Sequence, residues 1–440
     1  MTPTTPDAPR KANHAALGIV WLVVFIDLLG FGIVLPVLPR QVEPYLNHLA
    51  LTPAAKGAVI GVLFSIFSLM QFVFSPMWGR ISDRIGRRPV LLVSLLGSVV
   101  FYALYGYAVS LPATEAGLAL GLLLLSRVGA GIAGASVGTA AAVIADCTPP
   151  DKRAKGLALI GIAFGAGFTL GPLIAYFGLA LFAKEPWGVG ALASGISLVA
   201  LVIAFFAFKE TRNPDHKAGK EIFSLTKTRE VLAMPTVGAL VLIYFLAIFA
   251  FANFEATLAL LTQSAFGMSD DDNFLVFAFV GAVLTFAGGS YRGMAKKRGE
   301  VKLLQMGLGM MILGLALVGT VALLAATPDA RGAGYLKPLF YVAVSVSVIG
   351  FAFVNPSVSA LVSKRSDQTR QGEVLGVNQS FASLGRILGP FIGSVLFQAE
   401  SSRTLPYVAA VLTLLLVGAL LPKVKRFTGE TAETGERKQS

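Results

Sequence analysis

The chain runs to 440 residues, of which 55% are hydrophobic and 14% charged, with a formal net charge of +12. Soluble domains carry roughly a quarter charged residues, so a soluble enzyme or binding module does not fit this composition. Nor does the positive balance mark a nucleic-acid binder, because Lys and Arg lie scattered in short loops between apolar runs and form no single patch. The single cysteine, Cys147, leaves no intramolecular disulfide and reads as a small loop residue.

The first apolar run starts near Ala15 and passes Pro36. It exceeds the roughly 7–15-residue core of a cleaved leader, so it is expected to stay as a first helix. Eleven more runs follow. In the first half the segments are 15–39, 55–79, 88–110, 117–145, 156–182 and 188–208. In the second they are 236–263, 271–291, 302–326, 335–362, 374–398 and 405–422. Each can supply the ~20 residues that cross a bilayer, and none alternates as a barrel strand would. The expectation is an all-α membrane protein of twelve transmembrane helices in two pseudo-symmetric six-helix bundles. Its parts are a tail (1–14), a bundle (15–208), a linker (209–235), a second bundle (236–422) and a tail (423–440).

Orientation follows from basic residues, which collect on the cytoplasmic side of membrane proteins. With both termini cytoplasmic, 28 Lys and Arg lie on that side and six outside, while Arg127 and Arg386 fall within apolar segments. The halves also echo each other. DKRAKG from Asp151 precedes the fifth segment and DQTRQG from Asp367 precedes the eleventh, and these segments carry Gly171-Pro172 and Gly389-Pro390. Parallel six-helix repeats characterise a large class of transporters.

Ionisable residues inside a bilayer are costly and mark function by default. Asp27 lies about twelve residues into the first segment, roughly 18 Å deep. Ionising it there costs on the order of 3 kcal/mol, so it is expected to bind and release protons. Arg127 lies at overlapping depth in the fourth segment and never gives up its charge. Gly131, Gly134 and Gly138 share one face beyond it and permit close packing. Glu255, in the seventh segment, sits among Tyr244, Phe245, Phe249, Phe251 and Phe254. A carboxylate among aromatics suits a lipophilic cation, and it can equally serve as a proton site; Arg386 is a possible partner.

The loop after the second segment reads Gly79-Arg80-Ile81-Ser82-Asp83-Arg84-Ile85-Gly86-Arg87-Arg88-Pro89. Orienting charge explains the arginines but not Asp83, nor glycines seven apart that permit a tight turn. The fifth segment reads Gly161, Gly165, Gly167, Gly171, Pro172, two overlapping small-residue frames ending in a helix-bending proline.

Together these residues resemble the major facilitator superfamily, whose signature loop GRISDRIGRRP matches. The resemblance implies a cytoplasmic latch of Gly79, Asp83, Arg84, Gly86, Arg87 and Arg88, with Asp83 at the start of the eleventh helix and Arg87 pairing with Asp146. The first half is also similar to the drug/proton antiporters, especially the tetracycline-efflux group, through DLLGFGIVLPVLP from Asp27, SRVGAGIAG from Ser126, AVIADCTPPDKRAKG from Ala142 and GIAFGAGFTLGP from Gly161. By that resemblance Gly161–Pro172 is the antiporter motif, Asp27 is the proton-linked carboxylate and Arg127 its basic partner; Glu255 joins this expected proton-coupling set only as a carboxylate within an apolar segment. Phe31, Tyr102, Tyr244, Phe249, Phe254, Asn355, Asn378 and Gln379 are the substrate-cavity set. Phe101 precedes Tyr102 where the tetracycline exporters carry an acid, which points away from tetracycline.

The expected function is proton-coupled export of small amphipathic compounds by alternating access. A proton-coupled metabolite uptake symporter of the same fold is the alternative. Expected partners are a small-molecule substrate, protons and the lipid bilayer, with no nucleic acid, cofactor or metal. The expected form is a non-enzymatic monomer of the cell inner (cytoplasmic) membrane. No nucleotide-binding GxxxxGK[ST] loop appears, which leaves a proton or ion gradient as the energy source.

Overall fold

A computed structural model describes residues 14–148, 153–212, 225–328, 330, 332–366, 370–401, 403–418, 420–422 and 424. Among them there are helices and turns but no strand. The elements are α1 (His14–His48), α2 (Pro53–Ile85), α3 (Arg87–Val109), α4 (Ala116–Ala133), α5 (Val137–Cys147), α6 (Arg153–Leu181), α7 (Trp187–Ala207) and α8 (Leu225–Ala233). Then come α9 (Pro235–Phe266), α10 (Asp270–Arg298), α11 (Glu300–Ala326), α12 (Leu336–Lys364), α13 (Gln371–Ala399) and α14 (Leu405–Gly418). Ten helical stretches among the described residues are long and apolar enough to cross a membrane, and two shorter apolar helices lie within α6 and α14.

Sharp turns fall where the chain can make them. Gly86 (φ 111°) separates α2 from α3, and Gly299 (φ 76°) separates α10 from α11. Gly267 (φ 62°) ends α9 in the left-handed region that glycine enters without steric cost. Ser269 and Asp272 then start α10 with reciprocal side-chain-to-backbone hydrogen bonds, satisfying two amides that a helix start leaves open.

The chain divides into two compact units, Met1–Val34 with Met70–Lys220, and Leu35–Leu69 with Glu221–Ser440. In the first, α3 packs on α4 and α7, and α6 packs on α5 and α7. In the second, α9 packs on α13, α14 and α12, and α11 packs on α12 and α14. The second unit also holds the later part of α1 and the first part of α2. Arg40 on α1 donates to Asp270 Oδ1 and to the Met268 carbonyl, each at 2.6 Å. Asn273 donates to the Pro36 carbonyl at 2.6 Å.

Four elements differ most from the sequence expectation. The stretch read as a loop from Gly79 is helical to Ile85, inside α2, and the helix breaks only at Gly86. The first helix continues past residue 39 to His48 despite Pro36, Pro39 and Pro44. Val42, Tyr45 and Leu46 are buried there, so packing compensates for the amides that proline removes. The connector contains the short helix α8, whose Val231 is fully buried. The fourth apolar segment is split: Gly134–Ser136 form a 3-10 turn, with Ala135 at φ −75°, ψ 15°.

Candidate transport site

The split in the fourth segment builds the first cluster. A tightened turn frees carbonyls, and buried carbonyls need donors. Gln71 Nε2 donates to the Gly134 carbonyl at 2.9 Å, Trp78 Nε1 to that of Ile132 at 2.7 Å, and Ser94 Oγ to that of Ala133 at 2.8 Å. With the break thus satisfied, the Ser136 hydroxyl donates to Asp27 Oδ2 on α1. Both residues are buried, Asp27 at 1% exposure and Ser136 at 0%. The other oxygen, Asp27 Oδ1, is buried with no hydrogen-bond partner among the described residues.

Tyr102, on α3, interacts electrostatically with both Asp27 and Arg127. Its hydroxyl lies where a side chain at Gly30 would stand, so only glycine one turn after Asp27 admits it. Arg127 on α4 is wholly buried and interacts with Tyr102 and Tyr105. Phe101 packs its ring over Gly129, two residues from Arg127, in the space a side chain there would need. The α6 glycines bring that helix against the same stretch of α1: a β-carbon at Gly167 would stand 2.9 Å from Leu28 Cβ, and one at Gly171 2.8 Å from the Gly32 carbonyl carbon. Pro172 stays inside α6. Gly165 takes the Thr169 hydroxyl on its carbonyl at 2.9 Å, and Gly161 lies in the first half of α6.

The second unit carries another buried carboxylate. Glu255 on α9 is 9% exposed, and Arg386 on α13 acts on it and on Tyr244 electrostatically. Neither Glu255 nor Arg386 makes a hydrogen bond or a close ion pair among the described residues. Tyr244 donates to Asn355 Oδ1 at 2.7 Å across α9 and α12. Phe249 neighbours Phe245 (6.5 Å), which meets Phe381 edge-on (6.1 Å). Phe254 is buried beside Phe251, whose ring stacks on Phe351 at 3.9 Å. Asn378 is buried with Oδ1 unpaired among the described residues, while Gln379 and Asn355 are exposed. The side chain of Phe31 lies outside the described residues.

At the α2–α3 turn, Arg87 pairs with Asp83 at 2.5 Å and with Asp146 at 3.2 Å, and donates to Ser82 Oγ at 2.6 Å. Arg84 offers its carbonyl to Arg212 at 2.6 Å. Gly79 has open space where a side chain would be. The Asp367–Gln368–Thr369 segment before α13 lies outside the described residues.

Sequence reasoning missed two polar residues here. Ser136 lies in a run of small residues, and only the helix break reveals it. Glu210, after α7, accepts from the backbone N–H groups of Arg87 (2.9 Å), Arg88 (3.0 Å), Thr211 (3.0 Å) and Arg212 (2.9 Å). It thus closes the start of α3 from the segment that follows α7. Its carboxylate also occupies the place of a side chain at Gly86. Partial burial opposes its charge, but the N–H groups of Arg212, Arg87, Arg88 and Thr211 outweigh that and hold the carboxyl below the ordinary carboxylate range.

The family model described as Major Facilitator Superfamily matches residues 20–336 and 307–440. The chain is 30% identical over 386 residues to the class E tetracycline resistance protein of Escherichia coli, covering 86% of this chain and 87% of that protein. Its fold is similar to that of the human organic anion transporter MFSD10 (TETRAN), with TM-score 0.62, 24% identity and coverage of 94% and 100%. It is also similar to that of a D-xylose-proton symporter, with TM-score 0.71, 19% identity and coverage of 93% and 99%.

Proposed function

Because this chain belongs to the major facilitator superfamily of membrane transporters, we propose that it is a proton-coupled exporter of small amphipathic compounds. The observation that carries this is the Asp27 cluster: a buried carboxylate with one oxygen held by Ser136 and the other unpartnered among the described residues. Such a group can take a proton on its second oxygen without breaking its one hydrogen bond. Arg127, permanently charged, biases that exchange through Tyr102 without itself titrating.

Export is favoured over uptake by the likeness to tetracycline resistance proteins and by the close approach of the α6 glycines to α1 beside Asp27. Phe101 over Gly129 replaces the acid of that group with an apolar wall, which favours an amphipathic compound other than tetracycline. Glu255, Tyr244, Asn355 and the neighbouring phenylalanines supply the substrate-binding side chains. Residues 15–208 and 236–422 are the two halves that alternate access, joined by 209–235. The 28-to-6 division of basic residues supports a placement with both termini on the cytoplasmic side of the membrane, which for an exporter of this kind is proposed to be the inner membrane.

Inverted membrane vesicles holding a pH gradient test this. Cationic and neutral amphipathic drugs should release protons from wild-type vesicles, and Asp27→Asn should release none above background. A gradient collapsed equally by both proteins overturns antiport; solute-driven proton movement in the opposite sense identifies a symporter.

A further inference from the structure

A groove of about 450 Å³ runs between α3 and α7 on the exposed surface of the first unit. On α3 its wall is Leu92, Val93 and Leu96; on α7 it is Val202, Phe205 and Phe206, the last 81% exposed. Leu92 and Leu96 stand four residues apart, and Arg88 precedes Leu92 by the same step, so one helical stripe runs from a guanidinium into apolar surface. Arg88 is fixed at that end of the groove. Its Nη2 donates to the Phe205 carbonyl at 2.6 Å, and its guanidinium lies 5.5 Å from the Phe205 ring centre. Its Nε is buried with no hydrogen-bond partner among the described residues.

The surrounding charges are unbalanced. Glu210, Asp83 and Asp146 carry three negative charges here against the five positive ones of Arg84, Arg87, Arg88, Lys209 and Arg212. The surplus of about two positive charges leaves this end basic. A basic rim above an apolar channel matches an anionic head on a hydrocarbon tail, because juxtamembrane basic residues attract acidic lipids and apolar walls bind chains. We infer that this groove is a binding site for one anionic phospholipid of the leaflet facing the basic loops, with the phosphate on Arg88 and an acyl chain between α3 and α7.

The purified, delipidated full chain tests this by native mass spectrometry during titration with dioleoylphosphatidylglycerol or dioleoylphosphatidylcholine. Wild type is expected to hold one phosphatidylglycerol at about a tenfold lower concentration than phosphatidylcholine, given two or so basic side chains near the head. Arg88→Gln should reduce that preference below about twofold, and Arg88→Lys should keep most of it. Val93→Trp fills the groove at an exposed position, leaves the basic rim intact, and should remove the tightly held lipid even if Arg88→Gln does not fold. Arg298→Gln, at the end of α10, should change nothing. Equal retention of both lipids by wild type overturns the site, as does undiminished preference in Arg88→Gln or Val93→Trp. Displacement of the lipid by millimolar inorganic phosphate would show a headgroup site alone and overturn the groove.

Discussion

Asp27 and Glu255 are both carboxylates buried among apolar side chains, yet their surroundings differ in kind. Asp27 is held by the Ser136 hydroxyl and lies in the electrostatic reach of Tyr102, which in turn feels Arg127. The turn that aims Ser136 is itself secured by Gln71, Trp78 and Ser94. Glu255 has a cation in reach, Arg386, but no hydrogen bond among the described residues. A carboxylate whose partners are fixed in advance suits a small, fixed task such as carrying a proton. One whose partners are left open suits a ligand that brings its own. We propose on this ground that Asp27 is the proton site and Glu255 a substrate site.

The largest effect should come from exchanging the acids for amides. Asp27→Asn should lower coupled transport by on the order of 100-fold or more, the usual scale for losing a proton-transfer group. Glu255→Gln should leave coupled transport of neutral compounds within about threefold, since an amide preserves shape and polarity there. Proton flux and compound efflux measured together in reconstituted vesicles decide it. If both variants lose coupling equally, the two carboxylates share the proton task and the distinction fails.

Removing the hydroxyl should be next. A hydrogen bond to a charged group contributes about 1.5–3 kcal/mol, so Ser136→Ala should slow coupled transport by at least about tenfold. Ser136→Thr should retain most of it, because the hydroxyl remains. The thermal transition of Ser136→Ala should stay close to wild type, since the turn is held by Gln71, Trp78 and Ser94. An inactive Ser136→Ala that has also lost its folded transition would make Ser136 structural.

The two sites were unequally legible in the sequence. Asp27, Arg127 and Glu255 stand out because charge inside an apolar run is expensive, and that cost is visible one residue at a time. The same rule exposes the helices themselves, whose lengths answer to bilayer thickness. Ser136 could not be seen, because its role depends on a break at Gly134–Ser136 that three side chains from α2 and α3 secure. Tyr102 was legible as a polar residue but not as the neighbour of Gly30, a contact made by helices far apart in sequence. The glycine stripe of α6 was legible as a packing face, though its target on α1 was not. Glu210 looks like one charge among many at a helix end, and only geometry shows four amides converging on it.

For substrate selectivity the expected effect is smaller. Glu255→Gln should raise the KM for lipophilic cations about five- to tenfold relative to neutral analogues of the same size, since a desolvated charge and its aromatic neighbours contribute on the order of 1–2 kcal/mol. Maximal rates should barely move. Uptake into inverted vesicles of matched tertiary amines and their carbon isosteres gives the ratio, and a loss that is equal for both would remove Glu255 from cation recognition.

The smallest effect belongs to Glu210, which serves neither carboxylate cluster and should be neutral in coupling. Its folded carboxyl sits below the ordinary range, so its stabilising effect is present above the unfolded value near pH 4.3. That effect is lost as pH falls through the depressed folded value. The group lies at the surface, so solvent screening limits the contribution to about 1 kcal/mol, the size of an ordinary helix cap. Wild type should therefore be more heat-stable than Glu210→Gln at pH 7, and the gap should close as the pH drops below about 4. A gap that persists unchanged in acid would assign the Glu210 contribution to packing around Gly86. A gap that closes would assign it to charge held by the amides of Arg87 and Arg88, which joins the end of α7 to the start of α3 beside the Arg87–Asp83–Asp146 group.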